Sequence, residues 1–158
     1  MIVNHEVVII YSKILLATDG SFHANNAAEQ VLEFQKKWKS KVVIFHSIKH
    51  HKIPKGLFPN ESLPIELYQN IEEASRKAGE YLLNKTKEIF DKEGLSIETR
   101  LIEEYEPEVY IRRIVEQENF DLVVLGSKGQ HSKLKEILLG TVSINVVKSA
   151  PCDVLIVK

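Results

Sequence analysis

The sequence predicts an α/β fold: a doubly wound, five-stranded parallel sheet with helices on both faces. Three observations carry this. Short runs such as Lys13–Thr18 (KILLAT), Lys41–Ile48 (KVVIFHSI) and Leu122–Leu125 are nearly continuously apolar, as strands buried on both faces are. Between the runs stand segments whose apolar residues recur at three- and four-residue steps, the period of an amphipathic helix. The two patterns alternate along the chain, and strands separated by helices favour parallel pairing.

Taken in order, residues 1–11 are an N-terminal extension without assignment, and residues 12–158 read as a single domain. His5–Tyr11 suits an additional strand, the start of the first core strand, or an extension that packs on a partner. The first strand ends at Asp19-Gly20-Ser21. Ala24, Ala27, Ala28, Val31, Phe34 and Trp38 then mark a helix that Asp19 or Ser21 would cap. After the second strand, Lys49–Asn60 reads as a loop. Ser62 is the expected cap of a long helix towards Glu93, with Pro64 in its first turn, where proline is tolerated. The stripe of that helix reads Leu67, Ile71, Ala74, Ala78, Tyr81, Leu82 and Ile89, and Gly94 supplies the stop. Gly79 within it costs about 1 kcal/mol against alanine and suggests close packing.

Ser96–Ile102 alternates, with Ile97, Thr99 and Leu101 opposed to Glu98 and Arg100, so a half-exposed edge strand is expected. Glu106-Pro107 opens a helix with Tyr110, Ile111, Ile114 and Val115 facing inward. The Leu122–Leu125 strand, a glycine-bearing stretch, a short helix around Val142–Ser149 and a final strand, Asp153–Val157, complete the chain.

Composition narrows the function classes. The 158 residues are 44% hydrophobic, enough for a sizeable core, and the net charge of −1 gives no basic field for nucleic acid or an anionic membrane. No apolar run approaches the ~18 residues that span a bilayer. The N-terminus lacks the features of a signal peptide, and the lone Cys152 fits a reducing compartment, so a cytoplasmic location is expected.

The chemistry concentrates in Gly126–Ser143, GSKGQHSKLKEILLGTVS. Gly126 and Gly129 follow a buried strand, and Gly140-Thr141 precedes a helix. Glycines let a ligand approach the main chain, while a helix N-terminus offers N–H groups and partial positive charge to a phosphate. In a sheet of order 3-2-1-4-5, ligands bind where strand order reverses, between strands 1 and 4. Thr18-Asp19-Gly20 and Gly126-Ser127-Lys128-Gly129 would then face each other.

The segments ILLATDGS (14–21), FHS (45–47) and DLVVLGSKG…LKEILLGTVS…APCDVLIVK (121–158) resemble the universal stress protein family over nearly the whole chain from Ser12. Nucleotide-binding members carry Gly-x2-Gly-x9-Gly followed by Ser or Thr. The resemblance implies the 3-2-1-4-5 sheet, ATP as ligand with Mg²⁺ or Mn²⁺ on its phosphates, and a homodimer joined through the last strand. Residue by residue, it implies Ala17 and Asp19 at the nucleoside, with Asp19 near the ribose, and the Ser47 backbone at the adenine. Gly126 and Gly129 would approach ribose and phosphates; Gly140, Thr141 and Ser143 would donate to the phosphates. One departure stands out: ten residues, Gln130–Leu139, separate Gly129 from Gly140 where the family pattern has nine. The extra residue falls within Gln130–Lys133.

Plainer readings compete at each position. Asp19 and Thr141 suit ordinary helix caps, and the glycines suit simple turns. His46 reads as a hydrogen-bonded strand-end residue, His50-His51 as solvated, Cys152 as a buried structural thiol, and Lys36–Lys39 as a helix end. A slow ATPase would need a general base or a Walker-type lysine, and neither is evident, so no catalytic residue is assigned. A nucleotide-free homodimeric interaction protein of the same fold is a further reading. A receiver domain is disfavoured because Glu103-Glu104 stands where it needs an aspartate.

Overall fold

The strands form where the apolar runs lie. The structure is a computed structural model that describes residues 10–48, 64–129 and 139–158. The strands are β1 (Lys13–Ala17), β2 (Lys41–Ser47), β3 (Glu98–Ile102), β4 (Leu122–Gly126) and β5 (Asp153–Val157). They make one sheet of order β3-β2-β1-β4-β5, with every neighbouring pair parallel. Register is fixed at its centre, where Leu15 stands beside Val43 and Val123, and Leu16 beside Ile44 and Val124.

Because successive strand residues point to opposite faces, β1 serves two cores. Ile14 and Leu16 pack with Ala27, Ala28 and Val31 of α1 (Phe22–Trp38) and with Leu83 and Phe90 of α2 (Ile65–Asp91). Leu15 packs on the other face with Tyr110, Ile111 and Val115 of α3 (Pro107–Glu118) and Val146 of α4 (Thr141–Ser149). The sheet is thus covered on both faces, which is why its central strands tolerate no polar alternation.

Local chemistry sets the helix ends. Ser21 caps α1, its Oγ accepting the Ala24 N–H at 3.2 Å. Asp19, the other expected cap, instead accepts the Ser21 N–H at 3.0 Å and shapes the turn before the helix. For α2 the expected cap Ser62, like the Lys49–Asn60 loop with His50 and His51, lies outside the described residues. Pro64 occupies the N-cap position and gives no side-chain cap. Gly94 adopts φ +68° just beyond the helix, in the left-handed region that suits glycine.

The expected stripe of α2 requires correction. Leu67, Ala74, Ala78 and Tyr81 are exposed, and the buried residues are Gly79, Leu83, Thr86 and Phe90. Two of these are small or polar for physical reasons. A Cβ at Gly79 would lie 2.6 Å from Leu101 Cδ1 of β3 and 3.1 Å from Ile48 Cγ2, so a larger residue would force those side chains to shift. Thr86 satisfies its hydroxyl by donating to the Leu82 carbonyl at 3.1 Å, which allows its burial. β3, as expected, is a half-exposed edge strand.

Charged side chains tie together the N-terminal end of the sheet. Glu118 of α3 receives Lys13 Nζ at 2.9 Å and Arg100 through both Nη1 (2.7 Å) and Nη2 (3.0 Å). Asp121 accepts the Ser12 N–H at 2.7 Å, the Ser12 hydroxyl at 2.6 Å and the Lys13 N–H at 3.0 Å. Among the described residues no helix is long and apolar enough to cross a membrane.

Candidate functional site at the β1–β4 crevice

The strand order reverses between β1 and β4, and the chain ends of these strands define the crevice. Beyond β1, Thr18 donates its N–H to the Phe45 carbonyl at 3.0 Å, and Gly20 turns the chain at φ +73°. His46 Nδ1 stands 2.8 Å from the Thr18 carbonyl, which makes it the hydrogen-bonded strand-end residue expected.

Beyond β4, Ser127 is buried and donates its N–H to the Val157 carbonyl at 2.7 Å. The two turns are joined directly: the Ser21 hydroxyl donates to the Lys128 carbonyl at 3.1 Å. Gly129 comes so close to Asp19 that an added Cβ would lie 2.7 Å from Asp19 Oδ2. At Gly126 an added Cβ would instead meet the α1 backbone, at 2.7 Å from both Ala24 N and the His23 carbonyl carbon. One glycine is therefore demanded by helix packing and the other by a carboxylate.

The third wall is the start of α4. Gly140 is its N-cap and donates its N–H to the Ser127 carbonyl at 2.7 Å. The buried Ser143 hydroxyl donates to the Gly126 carbonyl at 2.9 Å. The ten-residue interval thus returns the chain onto the Ser127–Gly129 turn; its residues 130–138, with the proposed insertion point, lie outside the described residues. Helix geometry leaves the N–H groups of Thr141, Val142 and Ser143 without intrahelical acceptors, and Gly140 has no side chain to cap them. This end of α4 carries partial positive charge.

The structure thereby gathers Asp19, Gly126, Gly129, Gly140, Thr141 and Ser143 around one crevice, with Ala17 at the last position of β1. Ser47 sits one strand away at the end of β2, where its hydroxyl donates to the Tyr105 carbonyl. Ser127 and Ser21 act as internal fasteners that motif reading did not single out for the site. Buried serines beside GSKG and DGS, both following apolar strands, are the signal that would find them. Cys152 lies at the opposite end of β5, where burial first, and then the Asp153 charge, pushes its thiol up to about 11. Among the described residues no group of three or more His, Cys, Asp or Glu side chains could hold a metal ion.

The fold and site define a doubly wound α/β domain with a glycine-lined crevice facing a helix N-terminus. Comparison with known proteins makes that class specific. The model of the universal stress protein family matches residues 10–158. The chain is 31% identical over 150 residues to universal stress protein MJ0531 of Methanocaldococcus jannaschii, covering 94% of this chain and 83% of that protein. Among solved structures it is 29% identical to the hypothetical protein MJ0577, with a TM-score of 0.77 and coverage of 95% and 97%. A universal stress protein from Archaeoglobus fulgidus in complex with dAMP shares the fold at a TM-score of 0.63, with 23% identity and coverage of 95% and 100%. The chain belongs to the universal stress protein family.

Proposed function

We propose that this chain binds ATP in the β1–β4 crevice and acts as a small nucleotide-dependent sensor or stress-response regulator. The observation that carries the reading is the meeting of Asp19 with Gly129 beneath the start of α4. Asp19 offers a carboxylate to ribose hydroxyls, beside Ala17 at the nucleoside and the Ser47 backbone at the adenine. Gly126 and Gly129 keep side chains away from ribose and phosphates. Since the Gly140 N–H and the Ser143 hydroxyl are already used within the protein, the phosphate donors are the Thr141 hydroxyl and the N–H groups of residues 141–143. Gly140 contributes by admitting the phosphates.

The residues present fit the ligand: an uncapped helix start suits an anion, and the glycine beside Asp19 keeps the carboxylate unscreened by a Cβ. Bound Mg²⁺ or Mn²⁺ would neutralise phosphate charge. That an Archaeoglobus fulgidus protein of this fold holds dAMP supports the adenine class. ATP binding, rather than turnover, is the activity proposed, because the sequence carries no evident general base or Walker-type lysine at the cradle; slow hydrolysis is the enzymatic alternative.

The protein is also proposed to be a cytoplasmic homodimer joined through β5. Val154–Val157 are only half-buried on this edge strand, and Ile144 and Val147 of α4 expose 37% and 54% of their surfaces. An apolar edge with unpaired main-chain groups pairs readily with a second copy.

Thermal denaturation of nucleotide-free protein, with and without millimolar ATP and Mg²⁺ or Mn²⁺, tests the binding. A saturable rise in Tm is expected, reflecting about 2.7 kcal/mol of added stability at a hundredfold excess over Kd. No rise, with the sedimentation mass still that of a dimer, would favour the nucleotide-free interaction protein. Phosphate release indistinguishable from the buffer blank would exclude the ATPase. Leu155→Pro, in protein shown to be folded, should halve the sedimentation mass.

A further inference from the structure

We propose that the N-terminal half of α2 is a docking face for a second copy of this chain, laid antiparallel against the same half of that copy's α2. The face stands apart from the crevice and from β5, on the flank of the sheet where α2 packs on β2 and β3. It does not depend on the nucleotide reading.

α2 carries two apolar faces, and the fold uses one. Its buried residues, Gly79, Leu83, Thr86 and Phe90, all lie in the second half, so residues 65–78 run about 21 Å without one. Isolated helices shorter than about 15 residues are marginal in water, and packing of an apolar face supplies most helical stability in proteins. The unused stripe is Leu67, Ile71, Ala74, Ala78 and Tyr81, about a third of a turn round from the buried line. Ile71 is half-buried and the other four are exposed, Leu67 to 44% and Tyr81 to 65%. Successive members stand four, three, four and three residues apart, the spacing of a coiled-coil seam.

The seam complements itself in one orientation. A two-fold axis crossing it midway between Ile71 and Ala74 sets Leu67 against Ala78 and Ile71 against Ala74, and repeats both contacts. Each large side chain then fills the space left by a small one. On the flanks Tyr68 stands opposite Ser75 and Asn70 opposite Lys77, so no like charges are opposed. A parallel pair would face alanine with alanine, leaving gaps, and would bring Lys85, which continues the repeat, against its own copy. Glu66, Glu72, Glu73 and Glu80 outnumber Arg76 and Lys77 over the same stretch, which disfavours an anionic lipid surface as occupant. Five residues a side make a seam below the roughly 1,200 Å² of stable complexes, so the association is transient and forms at high concentration.

Sedimentation equilibrium of the full chain, over a dilution series reaching about millimolar, reads the contact; the weight-average mass should climb at least about 1.5-fold above its dilute value, whatever β5 contributes to that value. Leu67→Glu and Ala78→Glu, both at exposed positions, should hold the mass at the dilute value while circular dichroism shows the fold kept. Tyr81→Ser supplies an uncharged third variant should a glutamate unfold the chain. A mass that stays flat in the parent, or climbs equally in the folded variants, overturns the proposal. In a Cys152→Ser background, Leu67→Cys combined with Ala78→Cys should oxidise to disulfides joining position 67 of one copy to position 78 of the other. A disulfide between the two positions 67, mapped by peptide mass spectrometry, would overturn the antiparallel order. Binding of the parent to phosphatidylglycerol vesicles, lost in Ala78→Glu and without any rise in mass, would give the stripe to a lipid surface and also overturn it.

Discussion

The two ends of the sheet solve the same problem with different chemistry. At the N-terminal end, charged side chains fasten the strands: Glu118 holds Arg100 and Lys13, and Asp121 gathers three donors from Ser12 and Lys13. At the C-terminal end hydroxyls and amides join the turns, from Ser21 to Lys128, Gly140 to Ser127 and Ser143 to Gly126, beside the Asp19 carboxylate that accepts the Ser21 N–H. One end consumes its charge in closing the fold. The other is joined in part by hydroxyls and amides, and there the α4 N-terminus presents its partial positive charge. Stability and ligand chemistry are thereby separated along the strand axis.

The largest effect should come from Gly126→Ala, because the new methyl would press on the α1 backbone rather than on a flexible side chain. A loss of about 2–3 kcal/mol is expected in chemical denaturation. A change below about 0.5 kcal/mol would show that α1 yields freely.

Glu118→Gln should follow, at about 1–2 kcal/mol, since it leaves Lys13 without its carboxylate and Arg100 with Glu98 alone. Its pH signature is specific. Arg100, opposed by partial burial and aided by Lys13, lowers the Glu118 carboxyl to about 2. A depressed acid stabilises the fold fully above its unfolded value, near 4.5, and loses that contribution as pH falls through about 2. Denaturation between pH 5 and 2 should therefore be steeper in the parent than in the variant. Parallel curves would remove Glu118 from the account.

Gly129→Ala sharpens the contrast with Gly126. The methyl would meet the Asp19 carboxylate, a side chain able to shift, so stability should change by less than about 1 kcal/mol. ATP affinity, measured by calorimetry, should fall about tenfold, or roughly 1.4 kcal/mol. Equal affinity in variant and parent would count against the crevice.

Cys152 should show the smallest effect. With its thiol at about 11, roughly one molecule in a thousand is ionised at pH 8. Labelling by a disulfide reagent should be slow in native protein and fast once unfolded. Prompt native labelling would mean that the half-buried thiol is readily reached in the folded protein.

What the sequence disclosed follows the same physics. The strands were legible because buried parallel strands leave patterns within a few neighbouring residues; their order came with the family resemblance, and the cap was narrowed to Asp19 or Ser21, of which Ser21 caps. The α2 stripe was not. Counting apolar residues chose Tyr81 and Leu67, whereas burial fell on Gly79 and Thr86. A glycine selected by Leu101 across the helix–sheet contact, and a threonine that satisfies its own hydroxyl, carry no hydrophobic signal. At the site, the glycine spacing suggested a cradle, but it could not distinguish Gly126 from Gly129. Only the neighbours of each Cα separate a packing glycine from one beside a carboxylate.

The fasteners at Ser127–Gly140 and Gly126–Ser143 also bear on how the crevice is held together. They lie at or beyond the boundaries of the 130–139 interval and none uses its side chains. The walls of the crevice are thus stitched to one another by groups that flank the interval on both sides.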